Sequence, residues 1–219
     1  MRKLTGAVFQ SLDGVMQAPG GPEEDPTCGF RFGGWMFGCS DEAVGAVIGE
    51  LFAEPFDLLL GRRTYDIFSA YWPFNRDNPI GAKFQFANKY VVTSSDQPLT
   101  WENSHRLSSI AEVASLKAGD GPDLIIQGSS TLYPQLLAAG LIDKVALMTF
   151  PVILGEGKRL FGNGTGGGAM KMVDHQVTPG GTVMATYEPA GPIKVGSFAG
   201  AEPSEAEMVR REKIQRGAW

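Results

Sequence analysis

Three short segments combine small residues with hydrogen-bond donors suited to an anion: Gly61-Arg62-Arg63-Thr64, Ser94-Ser95 and Gly128-Ser129-Ser130-Thr131. Each follows an apolar run of strand length, and the first and third lead almost directly into a helical stretch. Backbone N–H groups at a helix start point outward and the macrodipole adds partial positive charge, so such an end can hold a phosphate. Arg62 and Arg63 add guanidinium groups, whose planar fork matches phosphate geometry. If the strands carrying these turns are parallel, their carboxyl ends share one edge, and the three segments converge on one ligand, for which a nucleotide with several phosphates is a fit. Taken singly, each turn reads more simply as a helix cap or connection, and either arginine as a solvated side chain. No GxGxxG follows the first strand, and the GxxxxGK[ST] and GxSxG patterns are absent, which leaves Rossmann dinucleotide binding, phosphoryl transfer and serine hydrolysis without their best sequence evidence.

The rest of the composition narrows the chemistry. The chain has 219 residues, 29 of them glycine, with two cysteines, two histidines and a formal net charge of -5. An acidic chain is poorly suited to a phosphate-neutralising surface, so no nucleic-acid partner is expected. Cys28 and Cys39 lack metal-type spacing and lie far from His105 and His175, which argues against a zinc centre. No window approaches the roughly 18 consecutive apolar residues of a membrane span, and no signal-peptide core follows Met1. The expectation is a soluble cytoplasmic protein without membrane or metal partners.

The elements that must position the turns alternate. Leu4 to Gln10 is a strand that ends at Ser11-Leu12-Asp13-Gly14, and a long Gly/Pro loop follows to about Gly34. Ser40 is expected to cap a helix whose Val44, Val47, Ile48, Leu51 and Phe52 form one apolar stripe. Asp57 to Leu60 is a buried-type strand, followed by Gly61 and a helix from Tyr65 to Tyr71. Lys89 to Thr93 and Leu124 to Gln127 are further strands. Ser109 and Glu112 form a capping box for the helix from Ile110 to Lys117, and Thr131 to Ala139 is helical. Lys144 to Leu154 returns to the sheet, and Met170 to Val177 with Thr182 to Glu188 form a hairpin turned by Pro179-Gly180-Gly181. This pattern predicts a three-layer α/β domain over residues 1–189: a mixed, mostly parallel sheet with helices on both faces and a C-terminal antiparallel hairpin. Residues 190–219 read as a flexible extension with a short helix over Glu205 to Gln215, whose charges suit a solvated face or a partner-binding element.

Several segments in order, Leu60-Gly61-Arg62-Arg63-Thr64-Tyr65, Val92-Thr93-Ser94-Ser95 and Ile126-Gln127-Gly128-Ser129-Ser130-Thr131-Leu132-Tyr133, resemble the dihydrofolate reductase superfamily. Phe9-Gln10-Ser11-Leu12-Asp13-Gly14, Gly140-Leu141-Ile142-Asp143-Lys144, Pro151-Val152-Ile153-Leu154-Gly155 and Leu160-Phe161 resemble its branch with the reductase domain of the bifunctional riboflavin-biosynthesis protein. The resemblance implies a homodimeric, NADPH-dependent reductase. It implies that Gly61, Arg62, Arg63 and Thr64 meet the 2'-phosphate and pyrophosphate side of NADPH, with Ser94 and Ser95 near the adenosine ribose phosphate. Gln127, Gly128, Ser129, Ser130, Thr131 and Leu132 would bring a helix N-terminus under the pyrophosphate, and Gly155 would lie near the nicotinamide ribose. The loop Val15 to Gly21 would close over nicotinamide and substrate.

Two departures bear on substrate. The family's Gly-Gly is Gln127-Gly128 here, and the position of the pterin-binding carboxylate falls near Gly45, which weakens dihydrofolate as substrate. Asp41 and Glu50 are acidic side chains that could substitute for it, although a dipole-complementing first-turn residue and a solvated flank are the plainer readings. Asp13 is the candidate for substrate orientation or proton delivery, with a turn-forming Asp-Gly as the other reading. Trp35, with Met36 and Phe37, is a candidate substrate wall, or else core or dimer contact. The expected activity is hydride transfer from NADPH to a C=N or C=O bond of a small, pteridine- or pyrimidine-like heterocycle. A catalytically inactive nucleotide-binding module is the alternative.

Overall fold

The computed structural model describes residues 1–162, 164–197 and 202–218. The expected glycine loop, the flexible stretch and the terminal element include residues 163, 198–201 and 219, which lie outside the described residues. The strands are β1 Leu4–Ser11, β2 Phe56–Gly61, β3 Lys89–Val92, β4 Ser104–Leu107, β5 Asp123–Gln127, β6 Lys144–Phe150, β7 Met170–Val177 and β8 Val183–Pro189. The helices are α1 Glu42–Leu51, α2 Arg62–Tyr71, α3 Pro79–Phe86, α4 Ile110–Ala118, α5 Leu132–Ala138 and α6 Glu205–Gln215. One eight-stranded sheet runs β4-β3-β2-β5-β1-β6-β8-β7. The pairings from β4 through to β6 are parallel, and β8 and β7 add the antiparallel hairpin.

Burial explains why β2 reads as a continuous apolar run rather than an alternating one. All six of its residues are buried. Leu59 faces a core shared with Leu4, Leu124, Ile126, Val113 of α4 and Tyr133 of α5. Leu58 and Leu60 face the opposite core, with Phe52, Tyr65 of α2 and Phe84 of α3. Both faces of the strand are therefore covered by helices. Gly6 on β1 makes room for α5, since a Cβ there would lie 2.6 Å from the Tyr133 ring. Asp57, the second residue of β2, pairs with buried Arg2 and accepts hydrogen bonds from Asn88 N and Nδ2 at 2.9 and 3.0 Å.

Local chemistry departs from expectation in three places. Asp41, not Ser40, caps α1: it accepts Val44 N–H at 3.1 Å, while its second oxygen accepts Gly180 N–H at 2.7 Å. That tertiary contact to the hairpin turn decides between two adjacent capping residues. Strand β4 and helix α3 were not foreseen. The polar Ser104-His105-Arg106-Leu107 forms an edge strand by pairing with β3, and Asn78 caps α3 ahead of Pro79. Ser109 caps α4 as expected, and Glu112 reaches back to Ser108 N at 2.8 Å.

The long loop after β1 is pinned. The Gln17 side chain donates to Asp25 O and Thr27 O at 2.9 and 3.0 Å and accepts from Lys158 N at 3.0 Å. Lys158 Nζ pairs with Asp25 and donates to Thr27 Oγ1 at 2.8 Å.

Candidate functional site

The sheet order puts the carboxyl ends of β3, β2, β5 and β1 side by side, and a cleft of about 1570 Å³ lies across them. Its polar end is built by the three turns singled out above. Gly61, Arg62, Arg63, Thr64, Ser94, Gln127, Gly128, Ser129, Ser130, Thr131 and Leu132 all line it.

Ser129 holds two of the turns together. Its Oγ accepts Gly61 N–H at 2.7 Å and donates to Thr64 Oγ1 at 2.9 Å. Gly128 and Ser129 both adopt left-handed backbone, φ +61 and +64. A Cβ on Gly128 would lie 2.9 Å from Thr64 Oγ1, so a side chain there would both strain the backbone and push the two turns apart. The two arginines are not equivalent. Arg62 Nε bonds Asp66 at 2.9 Å and its Nη1 donates to Gln97 O at 2.9 Å. Arg63 is exposed, and no hydrogen bond or ion pair holds it among the described residues.

The opposite end of the cleft is aromatic. Phe52, Phe68, Tyr71, Trp72 and Phe84 line it, with Phe68 and Phe84 stacked at 5.8 Å and Trp72 edge-on to Phe84 at 5.1 Å. The sequence reading did not pick out this wall. Its signal was present in the spacing of Phe68 and Tyr71 on α2, a helix of strong amphipathic character, with Trp72 directly after it. Residues 16–25 of the pinned loop also line the cleft. Glu24 accepts Gly20 N–H at 2.6 Å, and burial raises its pKa against that hydrogen bond.

The remaining candidate residues fall elsewhere. Ser95 follows Ser94 but is turned into its own loop, where its Oγ accepts Gln97 N–H at 3.2 Å. Trp35 is buried away from the cleft wall, edge-on to Phe150, with its indole N–H donating to Gln17 O at 2.8 Å. Its neighbours Met36 and Phe37 do reach the cleft. Glu50 is exposed on α1 outside the cleft. Asp13 also lies off the cleft wall, where its carboxylate accepts from Ser11 Oγ at 2.7 Å, Leu154 N at 3.1 Å and Gly155 N at 2.9 Å, with Arg159 at 3.2 Å. Burial opposes its ionisation, but these donors outweigh it and bring the pKa down to about 2. A carboxylate held ionised and filled with donors is a poor proton source, and Gly155 is its partner rather than a lining residue.

A mostly parallel sheet with an antiparallel hairpin at one edge and a cleft across its central strand ends defines the dihydrofolate reductase-like class of α/β proteins. The chain belongs to the RibD C-terminal domain family, whose model matches residues 2–184. Family and fold are those of reductases. The chain is 30% identical over 138 residues to the uncharacterized protein YyaP of Bacillus subtilis, covering 59% of this chain and 72% of that one. Among solved structures it is similar to a Shewanella sp. PV-4 protein assigned to riboflavin biosynthesis, with TM-score 0.58, 22% identity, and 86% and 99% of the two chains covered. It is also similar to Enterococcus faecalis dihydrofolate reductase complexed with NADP(H), with TM-score 0.55, 17% identity, and 85% and 96% covered. Among the described residues no helix is long and apolar enough to cross a membrane.

Proposed function

We propose that the protein is an NADPH-dependent reductase acting on a C=N or C=O bond of a small pteridine- or pyrimidine-like heterocycle. The observation that carries this reading is a single cleft with a polar end, built by tied turns and an uncommitted arginine, that runs into an aromatic end. At about 1570 Å³ it exceeds the roughly 300–1,000 Å³ of an ordinary small-molecule site, which leaves room for a cofactor and a second molecule.

The residues fit the cofactor. Thr64, Ser94, Ser130 and the backbone around Gly128 would hold its phosphates, and Arg63 would hold the 2'-phosphate. When bound, the nicotinamide supplies the hydride. The chain's own part is to orient and enclose. The aromatic wall offers flat surfaces to a planar ring, and residues 16–25, which line the cleft, would shield the bound ring from water. The match to RibD C-terminal domains supports the riboflavin-type reductase branch over a folate reductase, because Glu50 stands outside the cleft and no acidic side chain of α1 lines it.

Titration of the purified protein with NADPH and NADH tests the reading. Saturable NADPH binding with weaker NADH binding is expected, and no affinity for either would overturn it. Stoichiometric NADPH binding without oxidation across folates, pteridines and ribosylaminopyrimidines would favour the inactive binding module. The homodimer implied by the resemblance is checked by the mass of the native protein in solution.

A further inference from the structure

We propose that Gln127 is a specificity-determining residue that donates a hydrogen bond to a ring carbonyl oxygen of the substrate. This rests on the reductase reading above and adds to it the polar group that selects the heterocycle.

Gln127 ends β5 and lines the cleft, yet it is only 6% exposed. Its Nε2 is buried with no hydrogen-bond partner among the described residues. A buried amide donor left unpaired costs on the order of 1–3 kcal/mol, so a native chain that keeps one at a ligand cleft invites an explanation in terms of the ligand. Alternation along β5 puts Gln127 on the same face as Ile125, and its register partner on β1 is Ala7. Ile125 and Ala7 belong to the core that contains Phe52 and Phe84, both of which line the aromatic end. Gln127 is thus a neutral amide at the junction of the cleft's polar and aromatic ends, whereas Arg63, Thr64 and Ser130 are the groups placed for anionic oxygens.

The terminal torsion of glutamine is broad and roughly two-fold, so the carboxamide turns with little resistance to offer its N–H to the cleft. A neutral N–H donor beside aromatic rings suits the in-plane lone pair of a ring carbonyl. A ring amino group, itself a donor, must instead be met by Oε1, and that orientation leaves Nε2 buried and unpaired, which gives a basis for discrimination.

The test uses the full chain loaded with NADPH and two planar probes, pteridine-2,4-dione and pteridine-2,4-diamine, titrated by fluorescence against wild type and Gln127→Met. Wild type should bind the dione at least tenfold more tightly than the diamine. In Gln127→Met the dione should lose about tenfold in affinity and the diamine should stay within about twofold, which removes the preference. The ligand-free melting temperature of Gln127→Met should equal or exceed that of wild type, since the amide replaced has no protein partner. A wild type without the preference, failure to bind the dione included, overturns the proposal. So does a preference that survives in Gln127→Met, or a melting temperature lowered by several degrees. Failure of NADPH itself to bind would instead overturn the cofactor reading on which the proposal rests.

Discussion

Ser129 Oγ accepts the backbone N–H of Gly61 at 2.7 Å, which ties the turn after β5 to the turn after β2 across 68 positions of sequence. Its proton goes to Thr64 Oγ1 at 2.9 Å, so the hydroxyl is used in both directions. Ser129→Ala leaves a part-buried N–H without its acceptor. A loss of about 1–3 kcal/mol in folding stability is expected, measured by urea unfolding. NADPH binding should weaken with it, because the two turns then move independently. Unchanged stability would mean that water replaces the hydroxyl without cost.

Arg63 and Arg62 separate by what already holds them. Arg62 is committed to Asp66 and Gln97 O, whereas Arg63 has no partner among the described residues. Arg63→Ala should therefore weaken NADPH by about 10- to 100-fold, the size of a charge-assisted hydrogen bond, and leave NADH within about twofold. Arg62→Ala should weaken both cofactors to a similar degree, since it loosens the turn rather than removing a 2'-phosphate contact. Equal losses of both cofactors in Arg63→Ala, read by calorimetric titration, would contradict the assignment.

Asp13 links stability to acid. Burial works against its charge, but Ser11 Oγ and the N–H groups of Leu154 and Gly155 hold its pKa at about 2, below the roughly 3.9 of an unfolded aspartate. The unfolded chain therefore takes up this proton first as pH falls. The stabilisation is complete above about pH 4 and is lost as pH drops through about 2. Asp13→Asn should be destabilised by about 1–3 kcal/mol at pH 7, because an amide NH2 then faces backbone donors. The gap from wild type, followed by urea unfolding from pH 7 to 3, should narrow toward the acid end. A proton-donor role would instead show as lost turnover with stability unchanged.

Much of the architecture is legible in the sequence because buried parallel strands carry their own signal. Leu58 to Leu60 and Leu124 to Ile126 are apolar without alternation since each is covered on both faces, and each runs into a small-residue turn. Neighbouring positions in the sheet then bring those turns to one cleft, which the turn chemistry alone does not reveal. What escaped depends on contacts distant in sequence. Strand β4 is polar and becomes a strand only against β3. Asp41 displaces Ser40 as a cap through Gly180, 139 positions away. Asp13 has the residue type of a proton carrier but meets Leu154 and Gly155, more than 140 positions on, before any ligand. Trp35 has the size of a substrate wall but packs against Phe150. Residue type states what a side chain can do, and only the fold decides which partner reaches it first.

Lys89, where β3 begins, gives a pH dependence of the same sign as Asp13 in a different window, although its ionised form is a cost to the fold rather than a gain. It is fully buried, with Nζ donating to Gln85 O and Glu102 O at 3.0 Å each and lying 4.3 Å from the Trp101 ring centroid. Burial lowers its pKa to about 8, against the opposing pull of Glu102 and Asp57. An unfolded lysine titrates near 10.4, so between these values the unfolded chain binds more protons and raising the pH favours the fold. The cost of burying the ammonium is thus present in full below about pH 8 and is relieved as pH rises toward 10.4. Lys89→Met carries no such charge. Its stability relative to wild type should be about 1–3 kcal/mol less favourable at pH 10 than at pH 7, as wild type gains and the variant does not. The lost hydrogen bonds and ring contact shift both measurements alike and drop out of the comparison. Urea unfolding of both proteins at the two pH values checks this, and a difference independent of pH would mean that Lys89 keeps its proton throughout the range.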